Sequence, residues 1–270
     1  MTLNLYHGSS SVCSSKVRIG LAEKGLDWHS NPVNLKTGEQ NNLDYLKLNP
    51  KGVVPTLLDD GFIVTESSVI LEYIDGLSDQ NVLMPSAEPQ KTQARMWLAR
   101  CIDIHAAINT MTFSTVQRAQ ILSKKTPKEI ERSIARMANP AAATKRREVL
   151  RDGLDSTHVW AAFFTLMQMF DDMQKALVSS KWLIGDDYSI ADTSLLSYVD
   201  RLERLGFEGL WATRTPKVSE WLLASKQRAS YAEIENYIDP ADAQKTRAEG
   251  QALWPEVELR WMAFLDERSS

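Results

Sequence analysis

The spacing of apolar and polar residues changes along this 270-residue chain, and the change falls between residues 82 and 89. Before it, short apolar runs of period two alternate with segments of helical period. Asp59-Asp60-Gly61 separates two of the runs and is a strong turn signal. The predicted order is strand 3–6, helix 16–24, strand 28–35, helix 43–48, strands 53–58 and 62–65, and helix 67–77. This order predicts a small mixed sheet with helices on its faces.

After the change the apolar residues recur with period 3.6, and no segment alternates convincingly like a strand. Helices are predicted over 90–118, 127–137, 143–152, 156–179, 190–204, 215–226 and 242–267. Thr126 and Ser189 each open a capping box, which marks a helix start. Residues 137–144 (MANPAAAT) read as an exposed loop. The pattern therefore predicts an α/β domain over 1–82 and an all-α domain over 89–270.

Composition narrows the classes of function. Hydrophobic residues make up 43% and charged residues 24% of the chain, as in ordinary globular proteins. The net charge of −4 gives no global basic field, so we expect no nucleic-acid partner. Without a bilayer-length apolar stretch or a signal-peptide pattern, we expect a cytoplasmic protein with no membrane partner. Two cysteines are too few for a disulfide framework and fit a reducing compartment.

Metal chemistry has no support in the sequence. The four histidines do not show the spacing of metal ligands, so no metal site is expected. The chain also contains neither a phosphate-binding Gly-Lys-Ser/Thr loop nor a G-x-S-x-G elbow.

Pro55 interrupts the apolar run 53–58. Proline donates no N–H to a ladder, so it belongs at a sheet edge or at a special bond. A cis Val54–Pro55 bond would turn the backbone groups of Val54 away from the sheet, towards an extended peptide-like ligand. On local sequence alone, the edge-strand interpretation is favoured.

Glu66-Ser67-Ser68 ends the predicted hairpin and opens the next helix. Backbone N–H groups at a helix start point outward, with the positive end of the helix dipole behind them, and suit a ligand carboxylate. A simple N-cap explains one serine but not the glutamate before it. Together with Pro55, this segment predicts a ligand-binding site. Its backbone hydrogen-bonding groups and its anion position would lie about the length of one short peptide apart.

Ser11, Cys13 and Ser14 lie in GSSSVCSS (8–15), between the first predicted strand and the first predicted helix. A helix N-terminus lowers the pKa of a thiol. A hydroxyl there can donate to a thiolate, as in an oxyanion hole. The plainer interpretation is that these serines cap the helix, and at least one serine of the segment is expected to do only that.

Together these segments resemble the glutathione transferases. The resemblance covers nearly the whole chain and rests on SSVCSSKVRIGLAEKGL (10–26), NPKGVVPTLLDDG (49–61), TESSVILEYI (65–74) and YSIADTSLL (188–196). It implies a thioredoxin-like N-terminal domain followed by a helical-bundle domain, glutathione as co-substrate, and a homodimer. In this family the proline is cis and pairs the cysteinyl backbone of glutathione.

The resemblance also implies which residues bind glutathione. Val54 and Pro55 are expected to hold the cysteinyl unit, and Glu66 and Ser67 the γ-glutamyl end. Gln40 matches a position that often contacts the glycine carboxylate.

The residue that activates the thiol stays open between Ser14, Ser11 and Cys13. Ser11 matches the zeta-class serine, and Cys13 with Ser14 matches the Cys-Ser pair of the bacterial beta class. The chain also resembles the bacterial β-aryl etherases, glutathione-dependent lyases of lignin fragments, partly through NP…KRREVLRDG (139–153). Those enzymes have a serine at the Ser14 position and an amide at the Cys13 position. We therefore rank Ser14 first with Ser11 assisting, and Cys13 leaves a thiol–disulfide role open.

Three functional hypotheses follow. In the first, a glutathione thiolate attacks an electrophilic carbon of a small hydrophobic or aromatic compound, with an aryl ether as the first substrate class to test. In the second, Cys13 carries out glutathione-dependent thiol transfer or reduction. In the third, the fold serves as a non-catalytic ligand carrier, because fold does not fix function.

Overall fold

The computed structural model describes residues 2–269. Met1 and Ser270, the outer ends of the two expected domains, lie outside the described residues. By packing, the chain divides into two compact units. The first contains residues up to 101, 176–197 and 221–239, and the second contains 102–175, 198–220 and 240 onwards. The predicted domains, 1–82 and 89–270, are two consecutive segments of the chain, whereas each packing unit combines several separate segments. The packing units therefore do not test the predicted domain boundaries, which stay a prediction.

The sheet of the first unit is mixed, as the hydrophobic pattern predicts. Its strands are β1 (Leu3–His7), β2 (His29–Pro32), β3 (Thr56–Asp59) and β4 (Phe62–Thr65), in the order β2-β1-β3-β4. The β1–β2 pair is parallel, and the β1–β3 and β3–β4 pairs are antiparallel. Gly61, with a φ of 95°, makes the predicted hairpin turn. The first hairpin strand begins at Thr56 rather than at residue 53, so Pro55 lies outside the ladder.

Helices α1 (Val12–Lys24), α2 (Leu43–Leu48) and α3 (Ser67–Asp75) accompany this sheet. Helix α1 ends at Gly25, whose φ of 64° allows its N–H to bond back to the carbonyls of Leu21 and Ala22. Helices α1 and α3 pack closely because Gly20 has no side chain. A Cβ there would lie 2.3 Å from Leu71 Cδ2.

The remaining helices follow the period of 3.6 that the sequence shows. They are α4 (Glu88–Ser114), α5 (Val116–Lys124), α6 (Pro127–Ala135), α7 (Pro140–Asp152), α8 (Thr157–Ser179), α9 (Ile190–Arg204), α10 (Lys217–Lys226), α11 (Ala232–Glu235) and α12 (Pro240–Ser269). The predicted helix 90–118 is in fact two helices, because the chain breaks at Thr115. The predicted loop 137–144 is wrong in its second half, where Pro140 starts α7.

Each unit has its own buried interior. In the first unit, the carboxylate of Asp192 is fully buried and accepts hydrogen bonds from Leu183, Ser189 and Trp221. These bonds make Asp192 a structural cap of α9. In the second unit, α8 and α12 bury an aromatic cluster in which the rings of Phe163 and Trp261 lie 5.2 Å apart.

Among residues 2–269, no helix combines the length and the apolarity needed to cross a bilayer. The same residues contain no group of His, Cys, Asp and Glu side chains arranged to hold a metal ion.

Candidate functional site

The sheet register brings three candidate segments to one end of the sheet. Tyr6 in β1 lies opposite Thr56 in β3, and Thr56 lies opposite Thr65 in β4. The loop that follows β1, the residues before β3 and the residues after β4 therefore begin side by side. Neighbouring strands are about 4.8 Å apart, so the three segments fall within about 10 Å of each other.

The loop after β1 closes into a turn held by serine side chains. Ser11 caps α1, and its Oγ accepts a hydrogen bond from the N–H of Ser14 at 3.2 Å. The Oγ of Ser14 in turn accepts from the N–H of Gly8, also at 3.2 Å. The Ser15 hydroxyl donates to the carbonyl of Ser11. The expected capping role of one serine therefore belongs to Ser11, and Ser14 fixes the start of the turn.

The three candidate activating residues differ in exposure. Ser14 is fully buried, whereas Ser11 and Cys13 are half-buried. All three lie in the first turn of α1 or at its cap, where the helix dipole favours negative charge. Ser11 and Cys13 therefore keep part of their surface in contact with solvent, whereas Ser14 has none.

The residues before β3 form the second segment. The Val54–Pro55 bond is cis, as the resemblance implies. The carbonyl of Val53 accepts hydrogen bonds from Tyr45 Oη at 2.7 Å and from Asn49 Nδ2 at 2.9 Å. Tyr45 and Asn49 are both buried, so they anchor the segment from inside the fold.

The residues after β4 form the third segment. Glu66 has a φ of 66°, in the left-handed region that costs a non-glycine residue free energy and is concentrated at functional sites. Ser67 follows as the first residue of α3 and is half-buried. The carboxylate of Glu66 accepts from Lys51 Nζ at 2.6 Å, and this ion pair joins the second and third segments.

Gln40 lies in a short 3-10 turn over Glu39–Asn41 and is half-buried. Its Oε1 is shielded from solvent and makes no hydrogen bond within the described residues. The turn is tied to Asn34, whose N–H donates to the carboxylate of Glu39. Gln40 is thus held in place on a segment separate from the three at the sheet end.

Two cations of α1 that the sequence analysis did not single out support the site from inside. Lys16 is fully buried, and its Nζ donates to Ser68 Oγ at 2.9 Å, which connects α1 to the first turn of α3. Arg18 is also fully buried and donates to the carbonyls of Gly8 and Ser9 in the turn. The sequence pattern does not indicate this burial, because polar residues on all faces of a helix are ordinarily typical of a solvent-exposed helix.

Arg18 also fixes the tautomer of His7 and contributes to its lowered pKa. The guanidinium donates to His7 Nδ1 at 3.2 Å, so the neutral ring carries its proton on Nε2 and donates to Ser30 Oγ. Burial, with the nearby charge of Arg18, lowers the pKa of His7 to about 4. On its other side Arg18 donates to the carbonyl of Glu233, so the turn is tied to a segment far along the chain.

This arrangement can bind an extended, peptide-like anion and stabilise a thiolate. It offers a loop with a cis proline, a helix N-terminus with an exposed carboxylate beside it, and a second helix N-terminus with a hydroxyl and a thiol.

Comparison with known proteins agrees with this geometry. Residues 10–77 match the family model described as the glutathione S-transferase N-terminal domain. The chain superimposes on the crystal structure of the β-etherase LigF from Sphingobium sp. strain SYK-6 with a TM-score of 0.78 and 27% identity, covering 88% of this chain and all of that one. The chain has the glutathione transferase fold.

Relatives of known name are similar in sequence to most of this chain. Glutathione S-transferase TCHQD of Arabidopsis thaliana is 24% identical over 86% of this chain and 89% of its own. Protein LigF of Sphingobium sp. (strain NBRC 103272 / SYK-6) is 28% identical over 87% and 93%. The tetrachloro-p-hydroquinone reductive dehalogenase of Sphingobium chlorophenolicum is 25% identical over 85% and 94%. The expected thioredoxin-like and helical architecture is confirmed.

Proposed function

We propose that this protein is a glutathione-dependent transferase in which the glutathione thiolate attacks an electrophilic carbon. The observation that carries the proposal is the convergence of three segments at one end of the sheet. Val54 and Pro55 pair with the cysteinyl backbone, and Glu66 and Ser67 hold the γ-glutamyl end. Gln40 contacts the glycine carboxylate.

We further propose that Ser11 is the hydroxyl that donates to the thiolate. Its Oγ accepts one hydrogen bond from the Ser14 N–H, which leaves its own O–H to donate. Ser14 holds the turn through Gly8 and acts as a positioning residue. This order reverses the ranking taken from the sequence, because Ser14 is fully buried.

Replacement of the two serines separates these roles. We expect Ser11→Ala to lower kcat by roughly 10²–10³-fold, because it removes a donor aimed at developing negative charge. The absorbance of bound glutathione thiolate against pH should show a raised thiol pKa in this variant. Both variants should lower thermal stability, because Ser11 caps α1 and Ser14 holds the turn, but Ser14→Ala should leave that thiol pKa close to wild type. The opposite result would return the role to Ser14.

An aryl ether is the proposed substrate class. Support comes from the likeness to LigF, whose crystal structure is described as that of a β-etherase. In the reaction a C–S bond forms at the carbon that carries the aryloxy group, the C–O bond breaks, and the phenolate leaves and takes up a proton. The test is release of phenol from a model β-aryl ether by purified protein with glutathione. No release, with glutathione binding retained, would exclude this substrate and leave other electrophiles.

Thiol transfer by Cys13 is the second candidate. It is favoured by the position of Cys13, half-buried in the first turn of α1, and by the likeness to a reductive dehalogenase. The Cys13 thiolate would attack the glutathione sulfur of a mixed disulfide between glutathione and a substrate thiol, so that a Cys13–glutathione disulfide forms, the substrate S–S bond breaks and the substrate leaves as a thiolate that takes up a proton. A glutathione thiolate would then attack this new disulfide, release glutathione disulfide and restore the Cys13 thiolate. Mass spectrometry should then detect the adduct, and Cys13→Ser should abolish reduction while conjugation persists. Absence of the adduct would exclude this candidate.

A cytoplasmic homodimer is the proposed form of the protein. The edge strand β4 exposes Phe62 and Ile63, and α3 exposes Val69, which gives the first unit an apolar surface for a second copy.

The remaining alternative is a ligand carrier. Tight glutathione binding without turnover of any electrophile would favour it over the enzyme.

A further inference from the structure

Among residues 2–269, two cations on α7 have no anionic partner. Lys145 Nζ donates to the carbonyl of Ala106, and Arg146 Nη2 donates to Asn109 Oδ1 at 3.2 Å. The Arg146 guanidinium also stacks on the ring of Phe113, with its Cζ 3.2 Å from the ring centre. All of these partners are neutral, and no carboxylate among the described residues pairs with either cation.

The next residue along the helix shows what an ordinary surface arginine does here. Arg147 makes two hydrogen bonds to the carboxylate of Glu131 and is exposed. Lys145 and Arg146 are partly withdrawn from water instead, and this burial lowers the pKa of both side chains. A guanidinium has five N–H donors, of which the protein uses one in Arg146. The nitrogens of Lys145 and Arg146 are not among the buried side-chain atoms that lack a hydrogen-bond partner, so the unused donors stay open to a bound anion.

The surface beside these cations is apolar apart from Asn109. Ile102, Ala106, Asn109 and Phe113 are spaced by four, three and four residues and so share one face of α4. Arg146 covers the Asn109–Phe113 end of this face, whereas Ala106 is exposed and Ile102 is 72% exposed. From Asn109 to Ile102 the face runs for about 10 Å, roughly the length of a two-ring aromatic body.

We propose that Lys145, Arg146 and Asn109 form a binding site for the carboxylate of a small aromatic acid. The carboxylate accepts hydrogen bonds from Arg146 and Lys145, and the rings lie along Ala106 and Ile102. Arginine and a planar carboxylate match in geometry, and the apolar face favours an organic acid over a free inorganic anion. The site lies wholly in the second packing unit and does not depend on glutathione transfer.

Isothermal titration with naphthalene-2-carboxylate tests the proposal, with the uncharged naphthalene-2-carboxamide as the matched probe. We expect the wild-type protein to bind the acid at least tenfold more tightly than the amide. Arg146→Gln should weaken binding of the acid roughly 10–100-fold and leave the amide unchanged, because only the charge-assisted bonds are lost. Arg147→Gln, on the same helix, is the control and should bind both probes as the wild type does.

Two further variants guard against a folding artefact. Ile102→Ser changes an exposed residue, so it should fold normally and weaken binding of both probes alike. Arg146→Lys keeps the charge and should recover part of the affinity lost in Arg146→Gln. Equal affinity of the wild type for acid and amide, no binding of the acid at millimolar concentration, or an equal loss in Arg147→Gln would each overturn the proposal. Inorganic phosphate competing as strongly as the acid would overturn the proposed ligand class.

Discussion

Single residues in this protein act through partners that lie far along the chain. Arg18 joins the turn at Gly8 and Ser9 to His7 and to the carbonyl of Glu233, 215 residues away. The carbonyl of Val53 is held over a shorter separation, by the buried side chains of Tyr45 and Asn49. The site is therefore kept in shape mostly by side chains that a ligand would not touch.

The buried imidazole of His7 predicts a pH dependence of stability. The unfolded chain binds a proton at this residue near pH 6.5, whereas the folded protein does so only near pH 4. Between these values the unfolded state holds more protons at this residue, so the contribution of His7 to stability falls as pH decreases through this window and is constant below it. The loss amounts to roughly 3 kcal/mol for a shift of this size.

Urea unfolding at several pH values between 4 and 7 measures this loss. His7→Gln should flatten the curve in that window, whereas His29→Gln should not, because His29 is exposed. An unchanged pH profile in His7→Gln would contradict the assignment.

At the scale of elements, the ends of helices were harder to predict than their existence. The helical period locates α9 at its observed bounds, and the turn signal at Asp60-Gly61 locates the hairpin. Helix α1 begins at Val12 rather than at residue 16, and α7 begins at Pro140 rather than at residue 143. In both cases a capping side chain, Ser11 or Asn139, starts the helix earlier than the periodicity predicts.

The cap of α7 can be tested directly. Asn139 Oδ1 accepts from the N–H of Ala142 at 3.1 Å, and Pro140 follows the cap. We expect Asn139→Ala to lower the free energy of unfolding by about 1 kcal/mol, and Asn139→Asp to keep it, since aspartate caps equally well. Chemical denaturation measures both values. An equal loss in the two variants would show that the amide does more than cap the helix.

At the scale of the whole molecule, the sheet register is the decisive feature. Antiparallel pairing of β3 with both neighbours places the end of β1, the start of β3 and the end of β4 together. The sheet also leaves β4 as an edge strand with exposed apolar side chains. Such edges are covered or paired in stable proteins, which supports the proposed homodimer.

The homodimer predicts a native mass of about twice 30.5 kDa in multi-angle light scattering. Phe62 is 61% exposed and lies at the far end of β4 from the candidate site. Phe62→Glu should therefore favour the monomer, because a charge would be buried at the interface. Leu223→Glu, which alters another exposed apolar residue, on α10, should remain dimeric. A monomeric wild type would refute the prediction.

The sequence by itself determined the helical and strand content, the hairpin and the motifs of the glutathione transferases. These features depend on local geometry: residue spacing sets the period, and Asp60-Gly61 sets the turn. Val54-Pro55 and Glu66-Ser67 were readable because each is a contiguous motif. Their roles in binding stay predictions.

Only the tertiary structure decided which polar side chains are buried and what they contact. The burial of Ser14 and Arg18, and the absence of an anionic partner for Arg146 among the described residues, follow from elements packed against them from distant parts of the chain. Periodicity assigns a residue to a face of a helix. Whether that face meets solvent, a carboxylate or a neutral surface depends on long-range packing, which local spacing does not encode.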